Sequence, residues 1–168
     1  MGSAGRLLPA LSGVVNAREP LPWLVTGGQP GIGHFTALRE AGCDAVIDTR
    51  DPMEPQPIDP SEAAQNAHLT YINIPVPHSN PDDAVFERIR STLRGLHGKG
   101  QQVFVYCNSG NRVGAALIPY FMLELRLRRE QATAQAMQIG LRSAELLEAA
   151  LAYVSRVKDN DASTSASR

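Results

Sequence analysis

The run Gln102–Tyr106 (QVFVY) constrains this chain more than any other segment. Its residues are nearly all apolar or β-forming, with no polar alternation. A strand of that kind must be covered on both faces, as in the centre of a parallel sheet with helices on either side. The segments around it agree. Trp23–Thr26, Ala45–Asp48 and Leu69–Pro75 read as further strands. Between them, Ile32–Glu40 carries Phe35, Leu38 and Ala41 at helical spacing before the stop at Gly42. Asp59-Pro60-Ser61-Glu62 combines an N-cap, a proline at the first helical position and a capping-box glutamate. Asn80-Pro81-Asp82-Asp83 opens a second helix in the same manner, with Val85, Ile89, Leu93 and Leu96 along one face. Val113–Leu127, Glu130–Ile139 and Ala144–Val157 read as helix, the first kinked by Pro119. The expected fold is α/β: a central, mostly parallel sheet flanked by helices, with a helical C-terminal third. Right-handed crossovers put the loop after Tyr106 at the carboxyl edge of the sheet, where ligands of such folds bind.

The length of 168 residues suits one domain. It is expected over residues 21–157, with a loosely ordered extension at 1–20 and a disordered, polar tail at 158–168. Leu7–Val15 is apolar, but Pro9, Ser12 and Gly13 interrupt it, so it is read as extension rather than as a signal peptide. No apolar run approaches the ~20 residues of a membrane span. The net charge is −1, so no global field recruits nucleic acid or an anionic membrane, and any anion must be held locally. The expected ligand is a small anion or a phosphorylated molecule; protein partners are left open. Cys43 and Cys107 are too few for a disulfide framework and lie in no metal-ligand spacing. A cytoplasmic location is expected, and no metal or organic cofactor is implied.

The loop Cys107-Asn108-Ser109-Gly110-Asn111-Arg112 lies between that strand and a helix. Gly110 permits backbone angles that other residues resist. Successive N–H groups in such a turn converge on an anion, and the following helix adds its positive end. Arg112 supplies a planar fork for two-point contact with an oxyanion. This environment favours a thiolate. Cys107 is the candidate nucleophile, Arg112 the anion clamp, and Asn108, Ser109, Gly110 and Asn111 the binding cradle.

GGQP at 27–30, AVIDTR at 45–50, YINIPV at 71–76 and VYCNSGNR at 105–112 resemble the phosphatase-like domain of beta-lactamase-hydrolase-like proteins. That group has the protein tyrosine/dual-specificity phosphatase fold, and the resemblance spans about Leu24 to Val154. It implies attack of the Cys107 thiolate on a phosphoester, a phosphocysteine intermediate, and a neighbouring acid that protonates the leaving oxygen. The chain departs from the tyrosine-phosphatase pattern in three ways. Its loop is C-x4-R rather than C-x5-R, Tyr106 stands where a histidine is usual, and Val113 replaces the usual hydroxyl residue. The shorter loop resembles that of rhodanese-type sulfurtransferases, which carry a persulfide. Three functions therefore stay open: a phosphatase-like hydrolase, a sulfurtransferase using a Cys107 persulfide, and a non-catalytic anion-binding module.

In Pro75–Pro81 the resemblance places His78 at the acid position, with Asp82 and Asp83 as rivals. Arg50, at the end of the AVIDTR strand, either adds charge to the pocket or pairs with Asp51 or Glu54. Cys43 is read as core, with a resolving thiol for Cys107 as the alternative. Gln29 and Pro30 are read as turn formers. Arg126, Arg128 and Arg129 are read as a solvated basic face, with an acidic partner as the alternative.

Overall fold

The computed structural model describes residues 6–166. Five strands, β1 (Arg18–Leu21), β2 (Leu24–Gly27), β3 (Ala45–Asp48), β4 (Thr70–Asn73) and β5 (Val103–Tyr106), form one sheet in the order β1-β2-β5-β3-β4. Only the β1–β2 pair is antiparallel. The helices are α1 (Ile32–Glu40), α2 (Pro60–Asn66), α3 (Asp83–Gly98), α4 (Asn111–Pro119), α5 (Arg129–Ile139) and α6 (Ala144–Ala166).

β5 lies between β2 and β3, with all four of its residues buried. Its alternate side chains feed two separate cores. Val103, Val105 and then Cys107 face the layer of α3, α4, α5 and α6. Phe104 and Tyr106 face the layer of α1 and α2. Two-sided burial is why the sequence here lacks alternation. The chain advances β2, β3, β4 and then returns to β5, so direction reverses beside β5. Its carboxyl edge is the crevice where the site loop emerges.

Two expectations about the ends are corrected. The segment expected to be a loose extension is packed. A 3₁₀ turn at Leu8–Leu11 precedes β1, and Leu7, Leu11 and Val14 are buried in the α1/α2 core. Val14 can approach because Gly27 has no side chain: a Cβ there would meet Val14 at 2.8 Å. The tail expected to be disordered continues α6 to Ala166. Residues 158–166 of it are exposed, so intrahelical bonding rather than packing carries the last turns. The outer ends of both expected segments, 1–5 and 167–168, lie outside the described residues. Pro119 does mark a break: α4 passes into a π-helical segment, Tyr120–Glu124. β1, with charges and a proline, lacks a strand signature in the sequence; it is an edge strand, where proline is tolerated.

Among the described residues no helix is long and apolar enough to cross a membrane.

Candidate active site

β5 delivers Cys107 to the sheet edge, with its N–H on the Gly27 carbonyl at 3.3 Å and its side chain 1% exposed. The loop that follows is held from outside through its carbonyls. The Asn108 carbonyl accepts the Gln29 N–H at 3.1 Å, and the Ser109 carbonyl accepts the Asn16 side-chain amide at 2.8 Å. In a trans peptide the next N–H points opposite to the carbonyl. Outward carbonyls at 108 and 109 therefore turn the N–H groups of Ser109 and Gly110 inward. The Gly110 N–H meets the Cys107 Sγ at 3.0 Å. Gly110 is the N-cap of α4 with φ 92°, and the first N–H groups of that helix have no intrahelical acceptor. The result is a turn of inward N–H groups, a cradle in which Gly110 supplies the one hydrogen bond to the sulfur seen among the described residues.

The cradle rests on the end of α5. A Cβ on Gly110 would collide with the Ile139 carbonyl, and one on Gly140 would meet the Ser109 carbonyl at 2.9 Å. On the other side, a Cβ on Gly28 would meet the Asn108 carbonyl at 2.6 Å. Asn111 points its Oδ1 away from the sulfur, accepting the N–H groups of Arg142 at 2.7 Å and Ser143 at 3.3 Å. It ties the loop to the α5–α6 junction.

Arg112 is 2% exposed, and Glu54 grips its fork. Nη1 donates to Glu54 Oε2 at 2.7 Å and Nη2 to Oε1 at 3.0 Å. These contacts use two of five N–H donors, so three remain for another acceptor. The hydrogen bond from Arg112 holds the Glu54 carboxyl below its ordinary range, and Arg50 adds to that effect from 3.8 Å. Glu54 is thus an anion that orients the Arg112 guanidinium. Sequence reasoning misses its pairing with Arg112, because 58 residues separate the partners; the only signal is an acid in the loop after the AVIDTR strand. It misses Asn16 for the same reason.

Arg50 is 3% exposed and serves the loop above it. It binds the Gln29 side-chain oxygen through Nη1 and the Pro55 carbonyl through Nη2 at 2.6 Å. Asp48 receives the Arg50 N–H at 2.9 Å and the Tyr71 hydroxyl at 2.7 Å. Tyr106 points into the opposite core, where burial and then the nearby Asp48 carboxylate raise its hydroxyl pKa.

A cavity of about 490 Å³ opens over Arg112, walled by Asp51, Met53, Glu54, Pro55, Val76, Pro77 and His78. His78 stands exposed at its mouth, with Nε2 3.9 Å from Glu54 Oε1. Its two rivals are engaged elsewhere. Asp82 caps α3 by accepting the Val85 N–H at 3.1 Å, and Asp83 pairs with Arg156 at 2.5 Å. Val113 is buried beside the loop and offers no hydroxyl. Cys43 lies at the opposite end of β3, its thiol directed at the Ala45 and Gln102 carbonyls. Burial pushes that thiol up to about 12, so it is a core group rather than a resolving partner of Cys107.

No family model matches the chain, and no curated protein matches it by sequence. Solved structures do. A Shewanella putrefaciens protein described as a candidate phosphatase (DUF442) aligns at TM-score 0.74 and 26% identity, over 89% of this chain and 97% of that one. Tk-PTP in its active form aligns at TM-score 0.75 and 16% identity, over 84% and 97%. PTPMT1 in complex with PI(5)P aligns at TM-score 0.70 and 16% identity, over 82% and 94%. The chain has the protein tyrosine/dual-specificity phosphatase fold.

Proposed function

We propose that this chain is a cysteine-dependent, phosphatase-like hydrolase acting on a phosphorylated molecule. The observation that carries it is the Gly110 N–H on the Cys107 sulfur, at the mouth of a donor cradle with Arg112 as its cation. Such donors stabilise a thiolate and then the equatorial oxygens of a transferring phosphoryl group. The thiolate attacks phosphorus, an S–P bond forms and the P–O ester bond breaks. His78 gives its proton to the leaving oxygen. Water then attacks phosphorus, giving its proton to His78 as the S–P bond breaks, which releases phosphate and restores the thiolate and the acid. Arg112, oriented by Glu54, uses its remaining donors on the phosphoryl oxygens. The S. putrefaciens relative and the PI(5)P complex of PTPMT1 support a phosphorylated substrate.

The test is phosphate release from an aryl phosphate by the wild type and by Cys107→Ser. Turnover in the wild type and none in the variant is expected. Persistence of turnover in Cys107→Ser sinks the nucleophile assignment. The four-residue spacing between Cys107 and Arg112 favours one other reading, sulfur transfer through a Cys107 persulfide. Thiocyanate formation from thiosulfate and cyanide, with aryl phosphate untouched, would establish that reading instead.

The role of His78 has its own measurement. His78→Ala should slow an alkyl phosphate by about 10²-fold or more, and an aryl phosphate with a good leaving group far less. Equal slowing of both substrates rejects His78 as the acid.

A further inference from the structure

A second cavity lies away from Cys107. It encloses about 590 Å³ between α3, the Met122–Arg128 connection and the end of α6. From the N-terminus of α4 at the site loop to Glu124 the chain advances roughly 20 Å, so this groove lies at the far end of that helix. Its walls hold five cations, Arg90, Arg94, Arg126, Arg128 and Lys158, against two carboxylates, Glu124 and Asp161. The chain as a whole carries 16 Lys and Arg against 17 Asp and Glu, so the excess is local.

The cations converge from three parts of the sequence, which a solvated helix face does not require. On one wall the cations are already paired: Glu124 holds Arg94 at 3.1 Å and Arg90 at 3.7 Å, and Glu87 holds Arg90 at 3.2 Å. On the other, Arg126, Arg128 and Lys158 make no ion pair among the described residues. Arg126 stands in the left-handed region, φ 61°. After a helix that position is usually glycine, and a side chain there is held against its own backbone preference. Met122, Leu123 and Leu127 form an apolar floor.

We infer that this groove docks an acidic segment of a partner protein, with one apolar side chain on the floor and carboxylates against the two walls. Charge complementarity selects an anion. The absence of any aromatic residue from the lining removes the stacking surface that single-stranded nucleic acid uses.

The probe is a short fluorescein-labelled peptide with one Leu flanked on both sides by Glu, followed by fluorescence anisotropy. The full chain should bind it saturably, more weakly as salt rises, and should ignore the Gln-for-Glu peptide. Arg128→Glu should weaken binding about ten-fold or more. Arg126→Gly should also weaken it while keeping or raising thermal stability, because it removes the left-handed side chain. Aryl phosphate turnover should not change in either variant. Absence of saturable binding, or equal affinity in the wild type and both variants, overturns the inference. So does tighter binding of a single-stranded oligonucleotide or of phosphatidylserine vesicles than of the peptide.

Discussion

Arg112→Ala should reduce kcat/KM for an aryl phosphate by about 10²–10³-fold, since one aimed donor group at a developing oxyanion contributes on that scale. Arg112→Lys should recover only part of the loss, because an ammonium restores the charge but not the planar fork. Both effects should fall on kcat/KM more than on expression or solubility. A kcat/KM within about two-fold of wild type in Arg112→Ala would remove Arg112 from the site. The same substitution has a second, independent readout. Glu54 is only 22% exposed at its side chain, and Arg112 grips both of its oxygens, one of which also accepts the Asp51 N–H at 2.6 Å. Losing the Arg112 contacts should cost about 1–3 kcal/mol of stability. The pH dependence has a definite sign. The folded pKa of Glu54 is depressed, so its contribution is present above the ordinary carboxylate range and is lost as pH falls through the lowered value. Urea unfolding of Arg112→Ala should therefore differ from wild type near neutral pH and converge on it in strong acid. A gap that stays constant with pH would mean that the ion pair does not carry the stability.

Much of this arrangement is legible in the residues. QVFVY reads as a strand buried on both sides because both its faces carry apolar side chains, and β5 does meet two separate cores. The helix start at Asp59 is a local device, a side-chain oxygen on an N–H three residues ahead, and it is present at 3.1 Å; the second start is capped in the same way at 3.1 Å, but by Asp82, two residues beyond the Asn80 at which its motif begins. Period and capping are short-range signals, so they survive in one sequence without any partner.

What stays hidden depends on distant partners. Glu54 looks like a loop acid until the fold brings Arg112 against it. Asn16 looks like part of a loose leader until it reaches the Ser109 carbonyl across 93 residues. Leu7, Leu11 and Val14 recur at a helical spacing, but Pro9, Ser12 and Gly13 interrupt the run that holds them and mask it. Val14 fits only because Gly27 leaves room for it. The loop residues divide in the same way. Their backbone role follows from the spacing of Cys, Gly and Arg, whereas the outward turn of the Asn111 side chain follows from where α6 begins.

The glycine inside the loop makes the strongest structural demand. Gly110 has φ 92°, and a Cβ on it would drive into the Ile139 carbonyl. Gly110→Ala pays twice, about 1–2 kcal/mol for the left-handed backbone and another 1–3 kcal/mol for forced overlap with a main-chain atom that cannot rotate away. The sum, about 3 kcal/mol, should lower Tm by roughly 10 °C in a chain of this size. Gly95 provides the opposite case in the same molecule. It lies exposed within α3, where an added Cβ would meet nothing within 4 Å, so Gly95→Ala should stabilise by about 0.5–1 kcal/mol. Calorimetry of the two variants separates a general intolerance of Ala from the loop's specific need. Gly110→Ala should also lose activity beyond its loss of stability, because relief of the overlap moves the N–H that meets the Cys107 sulfur. A Gly110→Ala protein that melts within a few degrees of wild type and turns over aryl phosphate at an undiminished rate would refute the packing of this loop against α5, and with it the donor cradle on which the proposed chemistry depends.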